Sequence, residues 1–62
     1  MKIKELRLSK NLTQEDLAKK LIVDRSAVAM WETGKAMPRA DKLPELAKIL
    51  GCTIDELFES KR

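Results

Sequence analysis

The sequence contains no histidine and only one cysteine, Cys52. Zinc sites are built mainly from these two residue types, so the composition excludes a zinc centre. Without histidine, a Ser-His or Cys-His nucleophilic pair is excluded as well. A single thiol cannot form an internal disulfide and is typical of a reducing compartment. We therefore expect no enzymatic activity, no metal and no cofactor, and we interpret Cys52 as a small buried hydrophobe.

Long apolar runs are absent too. No stretch approaches the ~20 apolar residues that cross a bilayer, and no signal peptide is recognisable at the charged start Lys2-Ile3-Lys4. We therefore expect a cytoplasmic protein that does not bind membranes. A length of 62 residues predicts one domain over residues 1–62, with its core at about residues 3–58.

Acidic residues are in deficit, with 13 Lys and Arg against 10 Asp and Glu and a formal net charge of +3. The imbalance is uneven: residues 1–42 hold ten basic and six acidic residues, whereas residues 43–60 hold one basic and four acidic residues. Lys61 and Arg62 add two positive charges at the end. A basic front and an acidic rear would orient the molecule toward a polyanion. An ordinary solvated surface is the alternative interpretation of the same charges.

Glycine and proline are scarce, with two of each, and they fall between segments of helical periodicity. No stretch alternates apolar and polar residues as a half-buried strand would. The spacing instead predicts five short helices and an all-α domain. The first helix covers roughly residues 2–9, and the others begin after Thr13, Asp24, Asp41 and Thr53 as N-caps.

Several local signals support these boundaries. Thr13 with Asp16, and Thr53 with Glu56, have the spacing of a capping box. Gly34 is expected to end the third helix in the left-handed conformation. The adjacent carboxylates Glu15-Asp16 and Asp55-Glu56 resemble catalytic pairs only superficially, because they lie at these predicted helix N-termini, where capping explains them.

The segments LTQEDLA (residues 12–18), VDRSAV (23–28) and WETGK (31–35) resemble the helix-turn-helix of the Cro/repressor family, also called the XRE family. Residues 43–57 resemble the fourth and fifth helices of that family. The similarity covers about residues 3–58. It implies a compact five-helix, lambda-repressor-like DNA-binding domain with the helix-turn-helix at helices 2 and 3.

Two residues depart from the family pattern. The tight turn between helices 2 and 3 usually holds a glycine, whereas this sequence has Ile22. A β-branched side chain is unfavourable at positive φ, so we expect either a rearranged turn or a strained Ile22. Asp24 replaces the Ser or Thr of many relatives and places a carboxylate near the expected DNA backbone.

The third helix lies in the major groove in this family. Because Val28 and Trp31 have the spacing of an inward face, the outward residues are expected to read bases. The resemblance places Arg25, Ser26 and Met30 at base edges, and Ala29 faces outward with them.

These four residues differ in what they offer a base. Arg25 can pair bidentately with a guanine, and Ser26 can donate or accept a hydrogen bond. Ala29 and Met30 offer only apolar contact, for instance with a thymine methyl group, so DNA shape is expected to contribute to specificity. The alternatives are that Met30 is partly buried or merely part of the surface, and that Arg25 pairs with Asp24 or with a phosphate.

The resemblance also implies contacts to the DNA backbone. Such contacts set register and affinity without reading sequence. Gln14 begins the second helix, whose N-terminal N–H groups and dipole favour phosphate. Ordinary exposed side chains are the alternative interpretation of these positions. The expected backbone residues are Gln14, Thr33, Lys35 and Arg39.

Two further pairs complete the expectations. Arg7 and Glu32 fall where relatives join helix 1 to helix 3 by an ion pair. Leu57 and Phe58, on the fifth helix, are expected to form a dimer interface. The leading hypothesis is a transcriptional repressor that binds a palindromic operator in double-stranded DNA as a homodimer. The alternative is an antitoxin- or antirepressor-like protein-interaction module on the same fold.

Overall fold

A computed structural model describes residues 1–58 of the chain. Within these residues the secondary structure is entirely helical. A short 3-10 helix, Ala40–Lys42, runs directly into the fourth α-helix. The prediction of a five-helix, all-α domain is confirmed. The α-helices are α1 (Ile3–Ser9), α2 (Gln14–Leu21), α3 (Arg25–Thr33), α4 (Leu43–Leu50) and α5 (Ile54–Phe58).

Both predicted capping boxes are present. At the start of α2, the Thr13 hydroxyl accepts from the Asp16 N–H at 3.0 Å, and the Asp16 carboxylate accepts from the Thr13 N–H at 3.0 Å. At the start of α5, the corresponding distances between Thr53 and Glu56 are 3.1 and 2.8 Å. Each box satisfies two backbone N–H groups that have no partner within the helix.

One predicted cap keeps its position without its hydrogen bond, and another is wrong. Asp24 occupies the N-cap position of α3, but its carboxylate makes no cap hydrogen bond. Asp41 was expected to cap α4, and instead it lies inside the 3-10 helix, with Lys42 at the N-cap of α4. The physical reason is the extra turn: the Lys42 N–H donates to the Arg39 carbonyl at 2.9 Å, so helical structure begins before Asp41 can cap it.

The core is made of apolar side chains contributed by all five helices. α2 and α3 pack against each other, and α1 and α4 close the remaining sides. The Lys2 N–H donates to the Leu57 carbonyl at 2.9 Å, which ties the start of the chain to α5. Cys52 is half-buried against this core. The buried apolar residues are Ile3, Leu17, Ala18, Leu21, Val28, Trp31, Leu46, Ala47, Leu50 and Leu57.

The turn between α2 and α3 keeps a glycine-like geometry without a glycine. Ile22 has φ 59° and ψ 52°, in the left-handed region, and its side chain is 86% exposed. The Val23 N–H donates to the Ala18 carbonyl at 3.0 Å, as in a C-terminal capping motif. Lys42 donates its Nζ to the Leu21 carbonyl at 2.9 Å, a contact that sequence reasoning missed. Of the two expected alternatives, the turn therefore holds a strained Ile22.

Ile22→Gly is expected to raise the free energy of unfolding by about 0.5–1 kcal/mol. An L-residue in the left-handed conformation costs ~1–2 kcal/mol, and the substitution removes this cost. The larger conformational entropy of glycine in the unfolded state offsets part of the resulting stabilisation. Because Ile22 is exposed, little buried apolar surface is lost. Urea unfolding of the variant measures the change. Ile22→Val, which keeps the β-branch, serves as the control, and an equal gain in both variants would contradict the strain argument.

Candidate nucleic-acid interface

One face of α3 points away from the core. Ser26, Ala29, Met30 and Thr33 recur at i, i+3, i+4 and i+7, which places them on a single stripe of the helix. Val28, like Trp31 three residues later, is buried on the opposite side. Ser26 is exposed, Ala29 is half-buried and Met30 is 42% exposed. We call these four residues the outward face of α3.

Arg25 is held at the start of α3 by a neighbouring helix. Its Nη1 donates to Oε1 of Gln14 at 3.2 Å, and Nε2 of Gln14 donates to Oε1 of Glu32 at 3.0 Å. The guanidinium is therefore directed toward the N-terminus of α2. The ion pair with Asp24 that was considered as an alternative is not formed.

Arg7 and Glu32 form the expected ion pair between α1 and α3. Nε of Arg7 lies 2.7 Å from Oε2 of Glu32, and Nη2 lies 3.2 Å from Oε1, so the pair is bidentate. The third donor, Nη1, is bound by the Leu12 carbonyl at 2.8 Å. The side chains are only 8% and 5% exposed. Such a fork fixes geometry as well as charge.

The carboxylate of Glu32 experiences opposing effects. Burial acts to raise its pKa, but hydrogen bonds from Arg7 and Gln14 and the positive charge of Arg7 outweigh burial. The pKa of Glu32 therefore lies below its usual value, and the group stays ionised at neutral pH.

Together these contacts form a continuous Arg7–Glu32–Gln14–Arg25 network that crosses from α1 through α3 and α2 to the first residue of α3. Sequence reasoning identified the ion pair but missed the role of Gln14 as the link to Arg25. The linked residues are 18 and 11 positions apart, and no local pattern joins them. The network gives the side chain of Arg25 a defined direction before any ligand is bound.

The expected backbone residues differ in availability. The hydroxyl of Thr33 donates to the Met30 carbonyl at 3.3 Å, so its proton is already engaged. Lys35 and Arg39 are exposed in the segment that follows α3. Arg39 is 3.9 Å from Asp41, and because both side chains are solvated this pair holds Arg39 only weakly. The amide of Gln14 is partly used by the network, but its second N–H hydrogen has no acceptor among residues 1–58 and can donate to another group.

An open cleft of about 540 Å³ lies beside this network. It is bordered by the end of α1, by the loop that follows and by the first turn of α2, with Arg25 on its far wall. The first N–H groups of α2 have no partner within the helix, and they carry the positive end of its dipole. The exposed guanidinium of Arg25 also lines the cleft, together with Glu15 and the apolar Leu8 and Leu12. The guanidinium of Arg7 borders the cleft too, but its nitrogens are bonded to Glu32 and to the Leu12 carbonyl.

The two residues expected at a dimer interface differ in burial. Leu57 is fully buried in the core of its own chain, so the expectation that it lies on a pairing surface is corrected: α5 docks with this side inward. Phe58 is 42% exposed, and Ile54 is exposed one turn earlier on the same helix. Because the Lys2 N–H is bonded to the Leu57 carbonyl, Met1 lies at this end of the molecule as well.

The described residues carry neither a membrane-spanning helix nor a metal-binding cluster. Across residues 1–58, no helix is both long and apolar enough to cross a membrane. Over the same residues, no group of three or more His, Cys, Asp or Glu side chains is arranged to hold a metal ion.

The chain matches a known protein family over most of its length. The description of that family is Helix-turn-helix, and its profile covers residues 3–57. This match confirms the resemblance drawn from the three motif segments and from residues 43–57. No solved structure matches the chain.

Several curated proteins are similar to the chain. BcrR of Enterococcus faecalis, described as an HTH-type transcriptional activator, is 45% identical over 60 residues, which are 97% of this chain and 29% of BcrR. A Methanocaldococcus jannaschii protein, described as an uncharacterized HTH-type transcriptional regulator, is 44% identical over 57 residues, covering 92% of this chain and 86% of that protein. The 26 kDa repressor protein of Escherichia phage HK022 is 45% identical over 40 residues, covering 64% and 17%. The chain therefore spans less than a third of the activator and most of the second protein.

Proposed function

The chain belongs to the Cro/repressor (XRE) family of helix-turn-helix proteins, and we propose that it is a sequence-specific transcriptional regulator that reads double-stranded DNA through the major groove. The observation that carries the proposal is Arg25, an exposed guanidinium fixed by the Arg7–Glu32–Gln14–Arg25 network beside the outward face of α3. In this arrangement α3 enters the groove, and the N-terminus of α2 meets the DNA backbone.

The proposed contacts to DNA are of two kinds, those to base edges and those to the sugar-phosphate backbone. Arg25 and Ser26 donate to base edges, while Ala29 and Met30 make apolar contacts. The exposed Lys35 and Arg39 and the second hydrogen of the Gln14 amide donate to the sugar-phosphate backbone, whereas Thr33 can do so only after its hydroxyl leaves the Met30 carbonyl. Charge neutralisation at these positions supplies affinity that does not depend on sequence.

We further propose that two copies act together on a palindromic site. One α3 touches few base pairs, and a two-fold pair doubles the contacts on half-sites one helical turn apart. Repression is the regulatory outcome that we propose, because occupying a promoter blocks polymerase without any further activity. Two relatives are named as repressors, the phage HK022 protein and RstR of Vibrio cholerae, whereas BcrR is named as an activator.

Selection of bound duplexes from a random DNA pool tests the proposal directly. Recovery of a palindrome with half-sites about 10 base pairs apart would support a homodimeric reader. Recovery of a single non-repeated motif would support sequence reading by a monomer. The proposed function is wrong if repeated rounds enrich no sequence.

Operator binding is expected to weaken steeply with salt. A dimer that neutralises ~4–8 phosphates releases their counterions, which gives a slope of about −4 to −7 in a plot of log K against log salt concentration. The basis is the surplus of basic residues over positions 1–42. Fluorescence anisotropy over a range of NaCl concentrations measures the slope. The apolar middle of the outward face of α3 favours the alternative of a protein-interaction module, and a slope near zero would select that alternative.

Phe58→Ala is expected to lower the sedimentation mass at micromolar concentration and to weaken operator binding. The reason is that Phe58 and Ile54 expose apolar surface on α5 next to Met1. Leu8→Ala is the control for sedimentation mass alone, since Leu8 is an exposed apolar residue on α1 but also lines the cleft beside the start of α2. Equal monomer masses for the parent and both variants, together with unchanged affinity for Phe58→Ala, would remove α5 as the pairing surface.

A further inference from the structure

We propose that the outward face of α3 recognises the C5-methyl group of pyrimidines, so that the protein distinguishes thymine and 5-methylcytosine from cytosine. This inference rests on the proposed function, because it names the base feature that the same face would read. Its basis is the arrangement of polar and apolar groups along the stripe of four residues defined above.

The polar groups lie only at the ends of the stripe. Thr33 closes one end, and its hydroxyl is bonded to the Met30 carbonyl at 3.3 Å. Ser26 lies at the other end, near Arg25, whose guanidinium is drawn toward Gln14 on α2. Ala29 and Met30 fill the middle, and neither offers a strong hydrogen-bond donor or acceptor. The middle of the face is therefore chemically apolar while remaining accessible.

An apolar surface in the major groove has one apolar base feature to contact. The C5-methyl group of thymine projects into that groove, whereas cytosine carries only a hydrogen at the same position. Met30 is 42% exposed, and its unbranched side chain can follow the position of a methyl group. The small side chain of Ala29 lets the backbone of α3 approach closely. The two residues together form a contact of the size of one or two methyl groups.

Modified bases separate this mode of reading from hydrogen bonding. Deoxyuridine keeps every hydrogen-bonding group of thymine and lacks only the methyl group. 5-Methylcytosine carries the methyl group but presents an N4 donor where thymine presents an O4 acceptor. A methyl reader therefore responds to loss of the methyl group from thymine and to gain of a methyl group on cytosine. A reader that uses only hydrogen bonds responds to neither of these two changes.

The probe for the experiment is the duplex that the wild-type protein recovers from the random pool. Each thymine is replaced singly by deoxyuridine, and each thymine-adenine pair is replaced by a guanine pair with either cytosine or 5-methylcytosine. At one or more positions in each half-site, deoxyuridine is expected to weaken binding about three- to fivefold, as for loss of one buried methylene-sized group. At those positions 5-methylcytosine is expected to bind more tightly than cytosine by a similar factor.

Protein variants assign the effect to the outward face of α3. Ala29→Ser/Met30→Ala is expected to bring the thymine-to-deoxyuridine ratio close to one. Met37→Ala is the matched control, because Met37 is a more exposed methionine that lies outside α3. It should keep the wild-type ratio. Circular dichroism melting of both proteins establishes that the substituted surface leaves the fold intact.

Two results would overturn the inference: equal binding of thymine and deoxyuridine duplexes at every position, or a ratio that persists undiminished in the double variant. If either is found while binding stays salt-dependent and sequence-selective, the methyl reading is wrong and the proposed function stands. Failure to enrich any duplex in the first step contradicts the proposed function itself.

Discussion

Glu32→Ala is expected to lower the free energy of unfolding by about 3–5 kcal/mol, which would leave much of this small domain unfolded at 25 °C. The substitution strands the guanidinium of Arg7, which is 8% exposed and has no other carboxylate partner within residues 1–58. It also removes the acceptor of the Gln14 amide, so Arg25 loses its support. The urea concentration at the midpoint of unfolding and the affinity for the operator should therefore both decrease.

Two controls separate burial of an unpaired charge from loss of an acidic residue in general. Glu15→Ala removes an exposed carboxylate 3.9 Å from Lys19 and is expected to change stability by less than about 0.5 kcal/mol. Arg7→Met/Glu32→Leu removes both charges and should recover much of the lost stability, because no charge is left buried. A double variant as unstable as Glu32→Ala would show that packing, not the unpaired charge, is responsible.

The same ion pair predicts how stability depends on pH. The pKa of Glu32 is lower in the folded chain than its usual 4.5, so its contribution is complete above that value and is lost as pH falls through the folded pKa. The free energy of unfolding of Glu32→Gln should therefore decrease less steeply below pH 4.5 than that of the wild type. The stability of the wild type and of the variant should both still depend on pH, because hydrogen bonds from the Thr13 backbone and hydroxyl also lower the pKa of Asp16.

Arg25→Ala is expected to cost about 1–3 kcal/mol of binding free energy on the selected operator and to relax base preference at one pair in each half-site. The reason is that Arg25 is exposed, directed by Gln14 and placed at the first turn of α3. Its loss would remove the bidentate base contact that we propose for Arg25. Affinity is measured on the operator, on all single-base variants and on random duplex.

Lys35→Ala provides the contrast, since Lys35 lies beyond the end of α3 and should touch only phosphate. It is expected to weaken operator and random DNA about equally, and to make the salt slope shallower by about one for each half-site. Gln14→Ala should reproduce part of the Arg25→Ala specificity loss, because it releases the guanidinium without deleting it. A uniform loss on all sequences for Arg25→Ala would make Arg25 a backbone contact and leave reading to Ser26, Met30 and DNA shape.

The helices themselves were predictable because their signals are local. A capping box joins residues three positions apart, and Gly34 and Gly51 take positive φ where helices end, so these features are visible without tertiary structure. The Arg7–Glu32 pair was found through resemblance to a family and not through any local pattern. The strain at Ile22 was an open alternative, and packing of α2 against α3 decided it, since the turn must stay tight to let them meet.

Tertiary structure alone decided which atoms meet over longer separations. Gln14 could be assigned to a helix N-terminus from sequence, but its link to Glu32 and Arg25 exists only because α2 and α3 cross there. Asp41 is of a residue type that often caps helices, but it lies inside the 3-10 helix that precedes α4, and Lys42 occupies the N-cap position instead. Leu57 and Phe58 are adjacent apolar residues on a five-residue helix, too short for periodicity to show which one faces inward. Docking of α5 against the core, with the bond from Lys2 to the Leu57 carbonyl, buries Leu57 and leaves Phe58 exposed.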